Sequence, residues 1–304
     1  MLVSVVIPCF NAAPFIKRAV LSALHQRETG EVILVEDGST DKSLQICEEL
    51  RDNFKRVKLF HHPEAGNHGA GASRNLGIKE AHFDYIAFLD ADDFYLEGRF
   101  TAAKHILNSH PNVEGVYEAA AHHFYSSFAK ENYRLNYKSS ALVTIKNGRS
   151  LNNLFETFLT GEGGWFHLDA LTLRKEAVKK IGYFDETLRQ TQDTDWILRL
   201  CLHCNLAAGK IDSPVAQIGI HDKNRIHNQK EANHYRFIML KKWWVPVLQA
   251  PISKKAKLHF IRSYLDCHPW VRRHTHVRIM RKFVKGVVFL IHLARSPGMV
   301  LKIL

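Results

Sequence analysis

Short apolar runs alternate with amphipathic stretches over about the first 90 residues of the chain. The runs are rich in Val, Ile and Leu and are 4 to 7 residues long, which is typical of buried strands. The predicted strands are residues 2–8, 32–35, 57–62 and 85–90, and the predicted helices are 14–26, 39–50 and 71–81. Thr40 or Asp41 is the predicted start of the second helix. This alternation predicts a Rossmann-like, mostly parallel sheet flanked by helices.

The pattern weakens after residue 112. "VEGVYEAAAHHFY" and "ALVTI" are candidate strands, and a helix with a turn (175–188) and a second helix (193–204) follow. Beyond Asn224 the chain is basic, rich in His and Trp, and mostly helical in pattern. We therefore predict an α/β domain over 1–225, with halves at about 1–112 and 113–225, and a helical extension over 226–304.

Charge is distributed unevenly along this organisation. The net charge is +12, yet residues 235–304 carry 15 Lys or Arg against one acid, whereas residues 1–234 are close to neutral. This distribution argues against a uniform nucleic-acid surface and favours a basic appendage. Its apolar core, 286–294, is shorter than the roughly 20 residues that span a bilayer. An amphipathic surface on an anionic membrane, packing on the domain and packing in a homo-oligomer all fit the tail.

The cysteines and the N-terminal segment indicate the cellular compartment. Five cysteines are scattered, and Cys201 and Cys204 form a lone CxxC within a predicted helix, which favours reduced core thiols. "MLVSVVIP" has no basic segment before its apolar run, so it is interpreted as a first core strand and not as a signal peptide. Both features predict a cytoplasmic protein, with the tail available for the inner membrane face.

Carboxylates follow two of the predicted strands. Asp37 ends "VILVED", and Asp90, Asp92 and Asp93 end "YIAFLDADD". In open α/β sheets, ligands bind beyond the carboxyl ends of the strands. Mg²⁺ and Mn²⁺ prefer oxygen ligands, and the chain has no P-loop or GxGxxG to hold phosphates instead. A divalent cation that carries a phosphorylated ligand is therefore expected at this edge.

Six motifs in order resemble family 2 glycosyltransferases of the GT-A fold over residues 1–225. They are "VSVVIPCFNAAPFIKRAVLSALHQ", "VILVEDGSTDKS", "GASRNLGI", "YIAFLDADD", "KIGYFDETL" and "QDTDWILRL". The resemblance implies an inverting transferase that moves a sugar from a nucleotide diphosphate donor, most simply a UDP-sugar, to a hydroxyl of a glycan or lipid-linked acceptor. It also implies Mn²⁺ or Mg²⁺ as cofactor.

The resemblance also implies roles on the donor side. Pro8, Phe10 and Asn11 match the stretch after the first strand, where Phe10 would stack on the base. Asp37 would accept a hydrogen bond from the base, although Glu36 replaces the usual neighbouring Asp. Arg74 would lie near the nucleotide.

The same resemblance implies which residues would contact the metal, the ribose and the diphosphate. Asp90 would contact the ribose or the metal, and Asp92 would bind the metal. Asp93 is a less defined third acid, and His221 matches a histidine near the diphosphate that would also bind the metal.

For the transfer step, Asp193 matches the general base, although Gln192 replaces the Glu that usually precedes it. Asp195 is the alternative base, and its position also suits a helix N-terminus. Trp165 and His167 fall in the acceptor region. Two other functions stay open: a sugar nucleotidyltransferase, and a non-catalytic nucleotide-binding assembly protein, which Gln192 hints at.

Overall fold

A computed structural model describes residues 1–64, 66–136, 141–145, 154–222, 224, 229–269, 271, 285–286 and 289–290 of the chain. In the first half, strands and helices alternate: β1 (Val3–Cys9), α1 (Ile16–Leu24), β2 (Thr29–Glu36), α2 (Ser43–Asn53), β3 (Val57–His61), α3 (Ala70–Glu80), β4 (Tyr85–Phe88), β5 (Phe94–Tyr95) and α4 (Thr101–Ser109). The predicted strands and helices of this half are all present.

The second half is more irregular. Its elements up to the extension are β6 (Gly115–Tyr117), β7 (Ala119–Phe124), α5 (Ser127–Asn136), β8 (Leu142–Val143), α6 (Leu154–Thr160), β9 (Leu171–Arg174), α7 (Lys175–Ile181), α8 (Gln192–His203), β10 (Leu206–Ala208) and β11 (Pro214–Ile220). The candidate strands of "VEGVYEAAAHHFY" and "ALVTI" correspond to β6, β7 and β8.

The main sheet has seven strands in the order β10-β6-β9-β4-β1-β2-β3. Strands β1 to β4 are parallel, as their alternation with helices predicts, while β9 runs antiparallel to both of its neighbours. The Val and Ile residues of β1 and β2 have no solvent exposure because helices cover both faces. This rigid sheet brings the carboxyl ends of β1, β2 and β4 to one edge.

A second, four-stranded sheet, β5-β11-β7-β8, stands beside this edge. Residues after β4 enter it directly, since β5 pairs with β11. The segment between the two sheets, residues 89–93, therefore carries the acidic motif with both ends held by strands.

Helix α2 begins at Ser43, so the prediction that Thr40 or Asp41 starts it was wrong. Both residues are committed to loop contacts. The Thr40 N–H donates to Asn11 Oδ1 at 2.8 Å, and the Asp41 carboxylate accepts from the Ser43 N–H at 2.9 Å and the Ala13 N–H at 3.2 Å. The loop after β2 is thus tied to the loop after β1 before the helix starts.

The extension contributes α9 (Gln229–Lys242), α10 (Trp244–Gln249) and α11 (Lys254–Cys267). Its apolar side chains share one buried cluster with residues of α6 and α8, including Phe155 and Leu198. Trp243 and Trp244, the paired tryptophans of the tail, are both buried in that cluster. Within the described ranges, no helix is both long and apolar enough to cross a membrane.

Candidate active site

A cleft of about 1510 Å³ opens at the carboxyl edge of the main sheet, between it and the second sheet. Most of the residues singled out from the sequence line this cleft: Pro8, Phe10, Asn11, Asp37, Arg74, Asp90, Asp92, Asp93, Trp165, His167, Gln192, Asp193 and His221. Asp195 is not among its lining residues. Residues from five of the six motifs, together with the segments around Trp165 and His221, therefore line one cleft.

Asp37 holds the loop that precedes α3. Its Oδ1 accepts from the His68 N–H at 2.7 Å, and its Oδ2 accepts from the Gly69 N–H at 2.8 Å and the Asn67 amide at 3.0 Å. The residue is 2% exposed. A carboxylate offers about four acceptor positions, so a bound base would share this group with the loop.

The loop after β1 presents Phe10 and Asn11. Asn11 has a φ of +50°, a left-handed conformation that Asn tolerates better than most residues. Its N–H donates to Ser39 Oγ at 3.0 Å, so the loop is held against the one that follows β2. Phe10, which precedes Asn11 in the loop after β1, is half-buried and lines the cleft.

Arg74 and Asp90 form a short ion pair at the floor of the cleft, through Arg74 Nη2 and Asp90 Oδ1. Burial opposes the charge of the guanidinium, but Asp90 and Asp193 raise the pKa of Arg74 above its ordinary value. Its Nε and Nη1 are buried and find no hydrogen-bond partner among the described residues. These donors suit an anionic ligand, because an unpaired buried donor is costly.

Asp92 and His221 both line the cleft and are in direct contact. His221 Nε2 lies 3.0 Å from Asp92 Oδ2, and the Asn224 amide donates to the same oxygen at 3.2 Å. The His221 ring stacks on Phe15 with 4.6 Å between ring centroids. Strand β11 leads directly into His221, which explains how two motifs 129 residues apart meet.

A second group of charges lies deeper, around Asp169, which the sequence did not single out. Asp169 is fully buried, and its Oδ2 lies 3.1 Å from His167 Nδ1. Burial works against the charged imidazole, but Asp169 and Asp90 raise the pKa of His167 to about 9. Burial and the neighbouring Asp169 raise the pKa of Asp93 well above its usual range. His167, predicted for the acceptor region, thus belongs to the acidic cluster.

Trp165 stands at the rim of the cleft near that cluster. It is 45% exposed, and its ring meets His167 edge-on with 6.2 Å between centroids. Gly164, just before it, has a positive φ, and a Cβ there would lie 2.0 Å from the Thr144 carbonyl oxygen. The "GEGG" turn therefore fixes where the Trp165 side chain emerges.

These donor groups fit a divalent cation. One ligand atom each from Asp90, Asp93 and His167 lie within 4.8 Å of one another. Asp92 and His221 provide a second carboxylate and imidazole beside them. Carboxylate oxygens are the ligands that Mg²⁺ and Mn²⁺ prefer, so either ion suits the set.

Asp193 and Asp195 both belong to the first turn of α8 but face different surroundings. Asp193 is half-buried, lines the cleft and accepts from the Thr194 N–H at 2.7 Å. Gln192 Oε1 is buried without a hydrogen-bond partner in the part of the chain that the structure describes. Asp195 has no exposure and accepts at 2.9 Å from Nε1 of Trp243, the residue between α9 and α10. The structure therefore places Asp195 beneath the cleft and away from the predicted acceptor region.

The fold and the cleft define the protein as one of the GT-A class. The sequence profile of "Glycosyl transferase family 2" matches residues 4–156, about half of the chain. The chain therefore belongs to glycosyltransferase family 2, and the resemblance predicted from its motifs is confirmed.

Two curated relatives illustrate the match. An uncharacterized glycosyltransferase of Haemophilus influenzae is 41% identical over 118 residues, which cover 36% of this chain and 46% of that protein. The succinoglycan biosynthesis protein ExoU of Rhizobium meliloti is 41% identical over 97 residues, covering 32% of this chain and 28% of ExoU. The alignments thus span less than half the length of either relative.

Solved structures extend the likeness to nearly the whole chain. TarS 1-349 of S. aureus in complex with UDP-GlcNAc has a TM-score of 0.61 at 19% identity, covering 88% of this chain and 71% of that one. The mannosyltransferase PcManGT from Pyrobaculum calidifontis, in complex with GDP-Man and Mn²⁺, has a TM-score of 0.55 at 13% identity, covering 99% and 83%. At these identities the likeness establishes the fold.

Proposed function

We propose that this protein transfers a sugar from a UDP-sugar to a hydroxyl of a glycan or lipid-linked acceptor, with inversion at C1 of the sugar. One observation supports this most strongly: the residues expected for the donor, the cation and the base converge on a single cleft. Membership of family 2 supports the reaction class.

The donor end of the cleft suits a nucleoside diphosphate. Phe10 offers an aromatic face for the base, and Asp37 offers acceptor oxygens for a ring N–H. The buried, unpaired nitrogens of Arg74 suit phosphate oxygens. TarS, which shares the fold, holds UDP-GlcNAc, and this supports uracil as the base.

The proposed transfer reaction depends on the residues predicted for the general base and the cation. The acceptor oxygen attacks C1 of the sugar, the bond from C1 to the diphosphate oxygen breaks, and the hydroxyl proton passes to the Asp193 carboxylate. A carboxylate is needed there because a sugar hydroxyl is a weak nucleophile. Mn²⁺ or Mg²⁺ held by Asp90 together with Asp92 and His221, or with Asp93 and His167, would supply Lewis-acid stabilisation to the departing diphosphate. PcManGT, with bound Mn²⁺, supports that cofactor.

Other observations support the proposed acceptor class and the proposed cellular location. ExoU is a succinoglycan biosynthesis protein, which supports a polysaccharide or its lipid-linked precursor as the acceptor class. Trp165, exposed at the rim, offers a stacking surface for a sugar ring. A lipid-linked acceptor would place the protein at the inner face of the membrane, with the basic tail facing anionic lipid.

A two-stage experiment tests the proposal. A panel of nucleotide sugars is screened by thermal shift with Mn²⁺, because a ligand that binds the folded state raises Tm. The best donor is then incubated with protein, and the released product is identified with and without chelator. Chelator-sensitive UDP release is expected. Formation of UTP and sugar 1-phosphate when pyrophosphate is added to the donor would indicate a nucleotidyltransferase, and donor binding without any turnover would indicate a non-catalytic protein.

A further inference from the structure

Asp169 connects two groups that line the cleft but does not line it itself. Its Oδ1 accepts from the Asp90 main-chain N–H at 3.2 Å, and its Oδ2 lies 3.1 Å from His167 Nδ1. It belongs to a single 3-10 turn, Leu168–Ala170, immediately before β9. The carboxylate thus holds the segment just after β4 and forms an ion pair with an imidazole, whose Nδ1 also accepts from the Asp169 main-chain N–H at 3.4 Å.

Asp169 is itself held by a buried arginine, which also pairs with a buried glutamate. Arg99 Nε donates to the Asp169 carbonyl oxygen at 2.8 Å, and Arg99 Nη1 donates to Glu118 Oε2 at 2.8 Å. Arg99, Glu118 and Asp169 have no solvent exposure. Buried ion pairs often stabilise a fold no better than apolar residues of the same volume. Stability alone therefore accounts poorly for three such charges in one place, directly beneath the cleft.

We propose that Asp169 is a positioning residue, which holds the Asp90 main chain and the His167 ring in the geometry that cation binding and transfer require. The inference rests on the proposed function, because Asp90 and His167 matter only if the cleft is the active site. Carboxylates that orient a histidine next to a metal commonly change metal affinity or activity by about 10–100-fold when they are replaced.

The chain provides a matched control in Glu31. This residue is also a buried carboxylate, its Oε2 lies 3.1 Å from His82 Nδ1, and its Oε1 accepts from the His82 N–H at 2.8 Å. It lies near the start of β2, whereas the cleft is at the carboxyl end of that strand. Glu31→Gln therefore removes a buried carboxylate at the same distance from a histidine, far from the site, although the His82 side chain is 72% exposed and that of His167 is 16% exposed.

The experiment compares Asp169→Asn with Glu31→Gln in the full chain. Mn²⁺ binding is followed by the EPR signal of the free ion, UDP release from the best donor gives kcat and KM, and Tm records folding. We expect Asp169→Asn to weaken Mn²⁺ binding or lower kcat by about 10–100-fold with the donor KM little changed. We expect Glu31→Gln to change both by less than about twofold, although Tm falls in each variant.

A double variant guards against a folding defect. If Asp169 acts through His167, then Asp169→Asn in a His167→Gln background lowers kcat further by less than it does alone. Equal Mn²⁺ affinity and kcat in Asp169→Asn and Glu31→Gln, or strictly additive losses, would overturn the proposal. Failure of the wild-type protein to turn over any nucleotide sugar would instead contradict the transferase proposal, and the Mn²⁺ comparison would still decide the role of Asp169.

Discussion

One buried carboxylate, that of Asp195, joins the start of α8 to the end of α9. Replacing Asp195 should lower the free energy of unfolding by an amount that the structure allows us to predict. Asp195 Oδ1 accepts from Trp243 Nε1 at 2.9 Å, and Oδ2 accepts from Lys242 Nζ at 3.1 Å and from Arg199 Nε at 3.2 Å. The carboxylate is fully buried. Asp195→Asn preserves its shape and removes the charge on which two cations depend.

The expected loss follows from the exposure of the partners. Asparagine keeps an oxygen for Trp243 and puts an N–H₂ group where Lys242 and Arg199 donate. The Lys242 side chain is 42% exposed and can return to water, so its share is small. The Arg199 side chain is 17% exposed, and hydrogen bonds to charged groups contribute about 1.5–3 kcal/mol. We expect a loss of about 2–4 kcal/mol in the free energy of unfolding.

Urea denaturation measures this loss, and Asp185→Asn is its control. Asp185 shares the same lysine, with Lys242 Nζ at 2.7 Å, but its side chain is 24% exposed. An ion pair of that kind contributes at most about 1 kcal/mol. At about 2 °C per kcal/mol for a chain of this size, Asp195→Asn should lower Tm by about 4–8 °C. Equal losses in the two variants would refute the claim that the buried carboxylate of Asp195 stabilises the fold.

Three further predictions concern the cleft. Asp193→Asn should lower kcat by about 10²–10⁴-fold with donor affinity intact, measured by UDP release and calorimetry, and full turnover would place the base elsewhere. Asp92→Ala should abolish the chelator-sensitive part of donor binding; binding that still responds to chelator would remove Asp92 from the metal site. Phe10→Ala should weaken UDP binding, since stacking on a base contributes about 1–3 kcal/mol, whereas Phe10→Tyr should not; equal affinity in all three proteins would contradict stacking.

The parallel half of the fold could be predicted because each buried strand is a continuous apolar run bounded by turn residues. Strand β9 shows the limit of that approach. "LTLR" (171–174) is short, and nothing in its side chains specifies whether it runs parallel or antiparallel to β4 and β6. Its direction becomes visible only in its pairing with β4 and β6, which are distant in the chain. Strand β5 has only two residues, too few for any periodicity.

The site was predictable where chemistry coincides with strand ends. Asp37, Asp90 and Asp92 could be found because parallel strands end at one edge. Asp169 could not be assigned, since its partner Arg99 is 70 positions away in the chain. A single available signal was a charged residue inside the apolar segment "FHLDALTL". A charge in such a run must find a buried partner, but the sequence does not identify it.

Asp193 and Asp195 could not be separated by sequence either, because both are acids in the first helical turn. The geometry of the helix separates them. Two residues correspond to a rotation of about 200°, so the two side chains leave α8 on nearly opposite faces. One face lines the cleft and the other meets Trp243. Which acid faces the cleft depends on how α9 packs, and α9 lies outside the motifs of the family.

The basic tail divides into two parts with different explanations. Of its 15 basic residues, seven lie in 235–271 and eight in 272–304. In the first part, helices α9 to α11 bury their apolar faces against α6 and α8, so packing on the domain accounts for the paired tryptophans. The charged residues of that part need no membrane, since Lys and Arg commonly keep their heads in water above an apolar stem. Membrane contact of the tail stays a prediction, and most of 272–304 lies outside the described residues. Residues 272–304 hold eight Lys or Arg and no acid, and one of the eight, Lys285, pairs with Asp266. A cation near an anionic surface would contribute about 1 kcal/mol.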